Sequence, residues 1–239
     1  MRVTEHRTRI KFYGLTNLAD AQRAADAGAW AIGLIFARES PRRCELGAAT
    51  EIAASLKRRV EIVGVFVNPT LGLLARTAET IGLTMIQLHG DEGPAFCSEA
   101  ARRTGCKVIK AARIRSGADI QALAPFHTDF HLLDSYRPGV RGGSGETFAW
   151  ELAAAHRGSV PMILSGGLRP DNVAEAIDVV GPFAVDVASG VELSPGRKDP
   201  EALEAFSSAV AGAHAPRPRP AHARVDGGAH ARLRTTPSR

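Results

Sequence analysis

The sequence predicts an α/β fold of one domain, in which eight strand–helix units close into a (β/α)8, or TIM, barrel. Short apolar runs rich in β-branched residues alternate with alanine-rich amphipathic stretches, and eight such units fit into about 210 of the 239 residues. The runs are apolar on both faces, as parallel strands covered by helices are. The rival doubly wound sheet more often has about five or six strands, and no G-x-G-x-x-G follows the first run.

The predicted strands are the β-branched runs, and the predicted helices are the amphipathic stretches between them. The strands are Ile10–Tyr13, Ala31–Phe36, Ile62–Val67, Met85–Leu88, Val108–Ala111, Phe130–Asp134, Met162–Leu164 and Ala184–Val187. The clearest helices are Leu18–Ala27, Leu46–Leu56, Leu71–Ile81, Ala95–Thr104 and Asn172–Val179. A glycine directly follows several of these helices, which is an ordinary helix stop signal.

Composition excludes several classes of protein. The chain is 44% apolar and 23% charged, as globular proteins are, and it is long enough to bury a core without disulfides. Its three cysteines, Cys44, Cys97 and Cys106, lack C-x-x-C spacing, so we expect no metal site, no disulfide and a reducing, cytoplasmic location. Residues 1–9 lack the apolar stretch of a signal peptide, and no run approaches the roughly 18 apolar residues of a membrane span.

The net positive charge belongs to the C-terminal segment. Lys and Arg outnumber Asp and Glu by 30 to 25, yet residues 213–239 alone hold six arginines against one acid. This segment has four prolines and no aromatic residue, so we expect a disordered tail and no nucleic-acid partner. The predicted organisation is an N-terminal extension over 1–8, a barrel over 9–212 and a basic tail over 213–239.

Polar residues or glycine mark the carboxyl ends of the predicted strands, which is where (β/α)8 barrels carry their reactive groups. These positions are Tyr13-Gly14, Arg42-Arg43, Asn68, His89-Gly90, Asp134, Ser165-Gly166-Gly167 and Ser189-Gly190. Each one alone is compatible with a turn or a helix cap. Their shared location at one rim favours a functional site.

Three glycine-rich segments predict a phosphate site. Their candidate binding residues are Gly142, Gly143, Ser144 and Gly145 after the sixth strand, Ser165, Gly166 and Gly167 after the seventh, and Ser189 and Gly190 after the eighth. Glycine lets backbone N–H groups approach an anion closely, and loops seven and eight are the usual phosphate position of this fold. We therefore expect a small phosphorylated substrate.

Two charged residues are candidates for the chemistry. Asp134 ends a largely apolar strand, where partial burial raises a carboxyl pKa towards a value suited to a general acid. Arg42 lies on the loop after the second strand and is suited to bind a substrate carboxylate with its guanidinium fork. Its neighbour Arg43 is expected to be the solvated one of the pair.

Eight motifs run in order from Lys11 to about Phe206. They are K-F-Y-G-L-T-N-L-A-D-A, G-L-I-F-A-R-E-S-P-R-R, V-G-V-F-V-N, Q-L-H-G-D-E, L-L-D-S, G-G-S-G-E-T-F-A-W, I-L-S-G-G-L-R-P-D-N-V and V-D-V-A-S-G-V-E-L-S-P-G-R-K-D. In this order they resemble the phosphoribosylanthranilate isomerase family of tryptophan biosynthesis. Eight motifs are far more specific than a shared fold.

The resemblance implies an Amadori rearrangement, in which an N-(5-phosphoribosyl)anthranilate aminoaldose becomes a 1-deoxyribulose aminoketose without a cofactor or metal. It places Asp134 on the family's general acid and Arg42 on the residue that holds the anthranilate carboxylate. The three glycine-rich loops fall on the phosphate-binding positions. His89 and Asp186 match further residues at the rim and the floor of the pocket.

Position 13 departs from the family's pattern, because the resemblance implies a cysteine acting as general base where this sequence has Tyr13. At neutral pH a free thiol is ionised to about a few per cent, and a phenol is roughly thirtyfold less ionised. Three hypotheses stay open: an isomerase with an altered base, a non-catalytic barrel that binds a phosphoribosyl ligand, and an isomerase of another phosphosugar. Monomer and homodimer both stay open as well.

Overall fold

The structure of the protein is a computed structural model, which describes residues 7–134, 150–156 and 158–213. Eight parallel strands form a closed barrel, in which each strand pairs with its neighbours in chain order and the last pairs back with the first. This arrangement confirms the predicted (β/α)8 fold.

Strands and helices alternate along the described part of the chain. The barrel strands are β1 (Arg9–Tyr13), β2 (Ala31–Ile35), β3 (Glu61–Phe66), β4 (Met85–Leu88), β5 (Lys107–Arg113), β6 (Phe130–Asp134), β7 (Met162–Ser165) and β8 (Ala184–Val187). The helices are α1 (Leu18–Asp26), α2 (Leu46–Leu56), α3 (Leu71–Ile81), α4 (Pro94–Thr104), α5 (Gly117–Gln121), α6 (150–154), α7 (Val173–Val180) and α8 (Pro200–Gly212). Between β8 and α8, a 3-10 turn leads into an antiparallel pair of short strands, β9 (Glu192–Ser194) and β10 (Arg197–Lys198).

Local sequence sets the ends of these helices. Before α1, the Asn17 side chain accepts a hydrogen bond of 2.9 Å from the backbone N–H of Asp20. Before α3, the Thr70 hydroxyl accepts one of 3.2 Å from the N–H of Leu73. Both bonds satisfy a helix N–H that has no partner within the helix. Gly82 ends α3 with φ of 73°, a conformation that glycine adopts without strain.

Two apolar cores hold the barrel together. The outer core lies between strands and helices, where the fully buried rings of Phe12 and Phe206 meet edge to face at 5.9 Å. The inner core fills the barrel with Ala31, Val63, Met85, Ile109, Ala111, Leu132, Ile163 and Ala184. Because successive side chains of a strand face opposite sides, the same apolar strands contribute to both cores, and the helices and loops supply the rest of the outer core.

An aromatic cluster closes the amino-terminal end of the barrel. Trp30 lies 5.5 Å from Phe130 and 5.4 Å from Phe183 between ring centroids, in edge-to-face contacts. The guanidinium of Arg9 lies 4.4 Å from the centre of the Phe183 ring, which is a favourable cation–π distance. Polar groups accumulate at the opposite rim.

A buried ion pair outside the barrel fixes the loop after β4. The Lys110 ammonium lies 2.9 Å from Glu92 Oε2 and donates a bond of 2.7 Å to the Gly90 carbonyl oxygen. The same carboxylate accepts hydrogen bonds from the backbone N–H groups of Asn68 and Gly90, at 2.8 and 2.9 Å. Glu92 therefore joins the residues that follow β3 and β4 to the middle of β5.

We expect Glu92→Gln to lower the free energy of unfolding by about 3 kcal/mol, because it leaves the buried Lys110 charge without a countercharge. A chemical denaturation curve measures this loss. The matched control is Glu99→Gln on α4, whose partners Arg102 and Arg103 are exposed. An exposed pair is screened by water, so the control should shift the curve far less. Equal shifts for the two variants would contradict the prediction.

Some predictions fall outside the described residues. They concern the glycine-rich loop Gly142–Gly145, nearly all of the extension 1–8, and the tail 213–239 beyond its first residue. The predicted domain boundaries therefore stay predictions. Within the described ranges, no helix is both long enough and apolar enough to cross a bilayer.

Candidate active site

Three reactive side chains lie at the carboxyl-terminal rim of the barrel. Tyr13 and Asp134 are the last residues of β1 and β6, and His89 directly follows β4. His89 Nε2 lies 3.7 Å from Asp134 Oδ2, and the Asp134 charge also acts on the Tyr13 phenol. All three are only partly buried, so a molecule bound at the mouth of the barrel would reach them.

Below the rim lies a buried polar floor. Lys11 and Asp186 face each other in the pairing of β1 with β8 and form an ion pair of 2.8 Å, with their side chains 0% and 1% exposed. Ser165 Oγ lies 3.2 Å from the second carboxylate oxygen of Asp186. Burial raises the pKa of Asp186, while the Lys11 charge and these hydrogen bonds oppose the rise. The floor is therefore a group of mutually satisfied polar side chains.

A glycine in β2 makes room for Tyr13. Gly33 is the partner of Tyr13 in the pairing of β1 with β2, and a Cβ atom on Gly33 would lie 2.6 Å from Tyr13 Cβ. The same atom would lie 3.3 Å from Lys11 Nζ, which itself is 4.9 Å from the centre of the Tyr13 ring. The absence of a side chain at position 33 thus allows Lys11 and Tyr13 to occupy the same side of the barrel wall.

The Tyr13 phenol is held in its protonated form. Burial raises its pKa above the ordinary value of 10.0, and the negative charges of Asp186 and Asp134 raise it further. A phenol whose pKa is at or above about 10 is ionised to well below about 1% at neutral pH. Near neutrality, Tyr13 can therefore donate a proton in a hydrogen bond but has little capacity to remove one.

We expect Gly33→Ala to destabilise the protein by about 1–3 kcal/mol, because the new methyl group overlaps the Cβ of Tyr13. Thermal unfolding measures the effect. Gly47→Ala is the matched control, since Gly47 lies in α2 and an added Cβ there meets nothing within 4 Å. Alanine favours helix over glycine, so the control should be neutral or slightly stabilising. A stable Gly33→Ala protein would show that β1 and β2 have room to spare.

Gln87 orients the ring of His89. Gln87 is buried inside the barrel, and its Nε2 lies 3.1 Å from His89 Nδ1. The other ring nitrogen then faces Asp134. Gln87 Oε1 is buried and has no hydrogen-bond partner among the described residues. Gln87 therefore determines which edge of the imidazole meets the carboxylate.

Arg42 forms an ion pair within the site. Its Nε lies 3.0 and 2.9 Å from the two carboxylate oxygens of Glu192, and its Nη2 lies 2.8 Å from Glu192 Oε2. The hydrogen bonds that Arg42 donates to Glu192 raise the pKa of Arg42, so it stays charged. Arg43 is 45% exposed and lies 3.7 Å from Glu45, in agreement with the expectation that it is the solvated arginine. One edge of the Arg42 guanidinium is therefore already engaged.

The loops after β7 and β8 touch each other at the rim. A Cβ on Gly190 would overlap the carbonyl oxygen of Leu168, so only glycine permits this approach. Gly166 and Gly167 both have positive φ, 101° and 65°. The third predicted phosphate loop, 142–145, lies outside the described residues. Two of the three glycine-rich segments are thus adjacent, as a shared anion site requires.

The sequence profile of the family described as N-(5'phosphoribosyl)anthranilate (PRA) isomerase matches residues 10–209 of this chain. The chain belongs to the PRA isomerase family. A curated PRA isomerase from Citrifermentans bemidjiense is 49% identical over 194 residues, which cover 81% of this chain and 92% of the relative. The PRA isomerase from Geobacter sp. strain M21 is 47% identical over 199 residues, which cover 83% of this chain and 96% of the relative.

Solved PRA isomerases share the barrel. The crystal structure of the enzyme from Thermotoga maritima superposes with a TM-score of 0.78 at 40% identity, covering 85% of this chain and 98% of the relative. A PRA isomerase crystallised with reduced 1-(o-carboxyphenylamino)-1-deoxyribulose 5-phosphate superposes with a TM-score of 0.76 at 36% identity. This match also covers 85% of this chain and 98% of the relative.

Three charged residues of this PRA isomerase site were not predicted from the sequence: Lys11, Glu192 and Lys198. One signal was present, since Lys11 is charged, lies in an apolar strand and precedes Tyr13 by two positions. Strand alternation puts such residues on one face. Within the described part of the chain, no three His, Cys, Asp or Glu side chains are grouped to hold a metal ion.

Proposed function

We propose that this chain catalyses, slowly, the rearrangement of N-(5-phosphoribosyl)anthranilate to 1-(2-carboxyphenylamino)-1-deoxyribulose 5-phosphate. The observation that carries the proposal is the position of Asp134 at the end of β6, 3.7 Å from His89 and facing the partly exposed mouth of the barrel. This is the position of an acid that serves a ligand bound at the rim.

Asp134 acts first, as the general acid. It donates a proton to the furanose ring oxygen while the bond between that oxygen and C1′ breaks. The anilino nitrogen lone pair forms the new bond to C1′ and leaves an iminium ion with an open chain. His89 holds the Asp134 carboxyl group at the rim, since its Nε2 edge faces Oδ2.

A base then removes the proton from C2′. The electron pair of that C–H bond becomes the C1′–C2′ double bond of an enolamine, and the iminium nitrogen regains its lone pair. Proton transfer from the C2′ hydroxyl to C1′ gives the ketone. Tyr13 occupies the base position, and its raised pKa makes it a poor base near neutral pH. Proton removal from C2′ therefore limits the rate.

The remaining candidate residues hold the substrate. The free edge of the Arg42 guanidinium binds the anthranilate carboxylate. The loops that contain Ser165–Leu168 and Ala188–Glu192 bind the phosphate through backbone N–H groups, together with the loop 142–145. Asp186 supports this site from the floor of the barrel through its ion pair with Lys11. The relative crystallised with a reduced product analogue supports a ligand of this chemistry.

The raised pKa of Tyr13 also favours a second candidate function. In this alternative the barrel binds a phosphoribosyl ligand without turning it over. Binding needs Arg42 and the glycine-rich loops but no base at position 13. The two candidates therefore differ in turnover and share ligand binding.

Complementation of a tryptophan auxotroph that lacks this isomerase step tests the proposal. The full chain should restore slow growth without tryptophan, and Asp134→Asn should abolish it. Titration calorimetry with the reduced product analogue supplies the second measurement. Binding without growth would favour the non-catalytic barrel, and the absence of both growth and binding would contradict both candidates.

A further inference from the structure

Lys198 anchors the carboxylate that holds Arg42. The Lys198 side chain is 0% exposed, and its ammonium lies 3.0 Å from Glu192 Oε1. The same ammonium donates to the carbonyl oxygens of Tyr13, at 2.8 Å, and Ala188, at 3.1 Å. The backbone N–H of Lys198 donates to Asp20, a buried carboxylate of α1. Glu192 therefore lies on a rigid support that joins the ends of β1 and β8.

The guanidinium of Arg42 is constrained from a second side. Gly14 has φ of 74°, and a Cβ atom there would lie 2.8 Å from Arg42 Cδ. The aliphatic part of Arg42 thus packs directly on the backbone at Gly14. With Glu192 at the Nε edge, the side chain has little freedom to turn.

The charges of this cluster leave one positive charge at the mouth. Burial alone would raise the pKa of Glu192, but the hydrogen bonds and charges of Arg42 and Lys198 outweigh burial and lower it. Glu192 is therefore ionised, and among the three paired side chains Arg42, Glu192 and Lys198 one negative charge faces two positive charges. Lys198 is fully buried whereas the Arg42 side chain is 23% exposed, so the excess charge is accessible at Arg42.

Hydrogen-bond counting gives the geometry of the accessible edge. A guanidinium has five N–H groups: one on Nε and two on each Nη. The contacts with Glu192 use the N–H on Nε and one of the two on Nη2. Among the described residues, Glu192 is the acceptor for this guanidinium. The remaining fork, formed by Nη1 and Nη2, matches the width of one carboxylate.

We propose that Glu192, supported by Lys198, is a positioning residue that turns the Nη1–Nη2 fork of Arg42 to the barrel mouth and so selects a substrate with one carboxylate on its aromatic ring. This inference rests on the proposed function, since it concerns the anthranilate half of the same ligand. Glu192 itself does not touch the substrate; it acts through Arg42.

Two probes measure this selection by titration calorimetry on the full chain. One is the reduced product analogue, and the other is the same compound with a phenyl ring in place of the carboxyphenyl ring. The wild type should bind the carboxylated probe about 10- to 100-fold more tightly, as a charge-assisted fork contact implies. In Glu192→Gln this ratio should fall about tenfold, because Arg42 loses the partner that orients it.

Two further variants keep the test decisive. Glu192→Asp retains the charge but withdraws the carboxylate by about one C–C bond, so the ratio should fall in this variant as well, with less risk to folding. Glu45→Gln removes the carboxylate beside the neighbouring Arg43, and it should leave the ratio unchanged. A purely structural ion pair would lower the melting temperature of the Glu192 variants without changing the ratio.

The outcomes separate the two proposals. Wild-type protein that binds neither probe would overturn the proposed function, and this inference with it. In a second outcome, the wild type prefers the carboxylated probe and both Glu192 variants keep or increase that preference. This result would overturn the positioning role alone. A wild type that binds both probes equally would overturn the positioning role of Glu192 and also the assignment of Arg42 to the anthranilate carboxylate.

Discussion

Replacing Tyr13 by cysteine should raise kcat/KM for N-(5-phosphoribosyl)anthranilate by about 100-fold or more, as general-base contributions usually do. The phenol is held protonated by burial and by the charges of three carboxylates, Asp186, Asp134 and Glu192, so it seldom removes a proton. A thiol with an ordinary pKa of about 8.5 is ionised far more often at neutral pH. The steady-state rate at pH 7.5, followed by loss of substrate fluorescence, measures the change.

Tyr13→Ser is the matched control for the cysteine variant. It removes the same ring and supplies a hydroxyl that does not ionise near neutral pH, so it should give no gain. Both variants remove the partly buried ring and leave a cavity. The free energy of unfolding should therefore fall by about 3 kcal/mol or more in each. An inert Tyr13→Cys protein, destabilised to the same degree as Tyr13→Ser, would contradict the altered-base account and favour the binding barrel.

The pH dependence should distinguish the two proteins as well. The active form of the base is the ionised one, so the rate rises with pH until the pKa is passed. Because the Tyr13 pKa lies above 10.0, the wild-type profile should still climb at pH 10. The Tyr13→Cys profile should level off at lower pH, because a thiol ionises first. Profiles of identical shape would mean that neither group is the base.

Asp134→Asn should lower kcat by about 10²- to 10⁴-fold in both the wild-type and the Tyr13→Cys background. Without a proton donor at the ring oxygen, that oxygen must leave as an alkoxide when the sugar opens. The asparagine amide has nearly the same size, so the affinity for the reduced product analogue should stay roughly constant. Measuring the variant in the faster Tyr13→Cys background keeps the loss within the range of the assay.

Asp178→Asn is the control for the Asp134 variant. Asp178 is an exposed carboxylate on the outer helix α7, far from the rim in the fold, and its replacement should leave kcat unchanged. If Asp134→Asn turned over at a rate close to that of its parent, the general acid would have to be another residue.

The sequence predicts the strands best where apolar residues coincide with backbone pairing. Met85–Leu88, Phe130–Asp134 and Ala184–Val187 match β4, β6 and β8 at both ends. The predicted Val108–Ala111 is too short, because β5 extends to Lys107 and Arg113 through pairing with its two neighbours. Hydrogen bonds of the main chain add charged end residues that no apolar pattern marks.

A similar limit explains why α5 was not predicted. It spans Gly117–Gln121, fewer than two turns, and no residue of this helix is buried. Its start is set by a capping box, in which Ser116 and Asp119 exchange hydrogen bonds with each other's backbone N–H groups. Periodicity cannot detect a helix this short, whereas the capping pair could have indicated it.

The candidate site could be located by sequence but its pairings could not. Strand-end positions follow from the fold, and so Tyr13, His89 and Asp134 were expected at one rim. The partner of Arg42, however, is Glu192, 150 positions away. Such a contact depends on the register of the barrel and on loop conformations, which local patterns do not encode. The resemblance identified Arg42 without identifying what orients it.

The bond from Lys198 to the carbonyl oxygen of Tyr13 joins positions that are 185 residues apart. During synthesis the first strand leaves the ribosome long before Lys198 does. A nascent chain that has extended only as far as β8 can pair its strands, but it still lacks the ammonium that anchors Glu192 and the end of β1. The ligand-binding arrangement of Arg42 is thus completed by one of the last segments of the barrel to emerge.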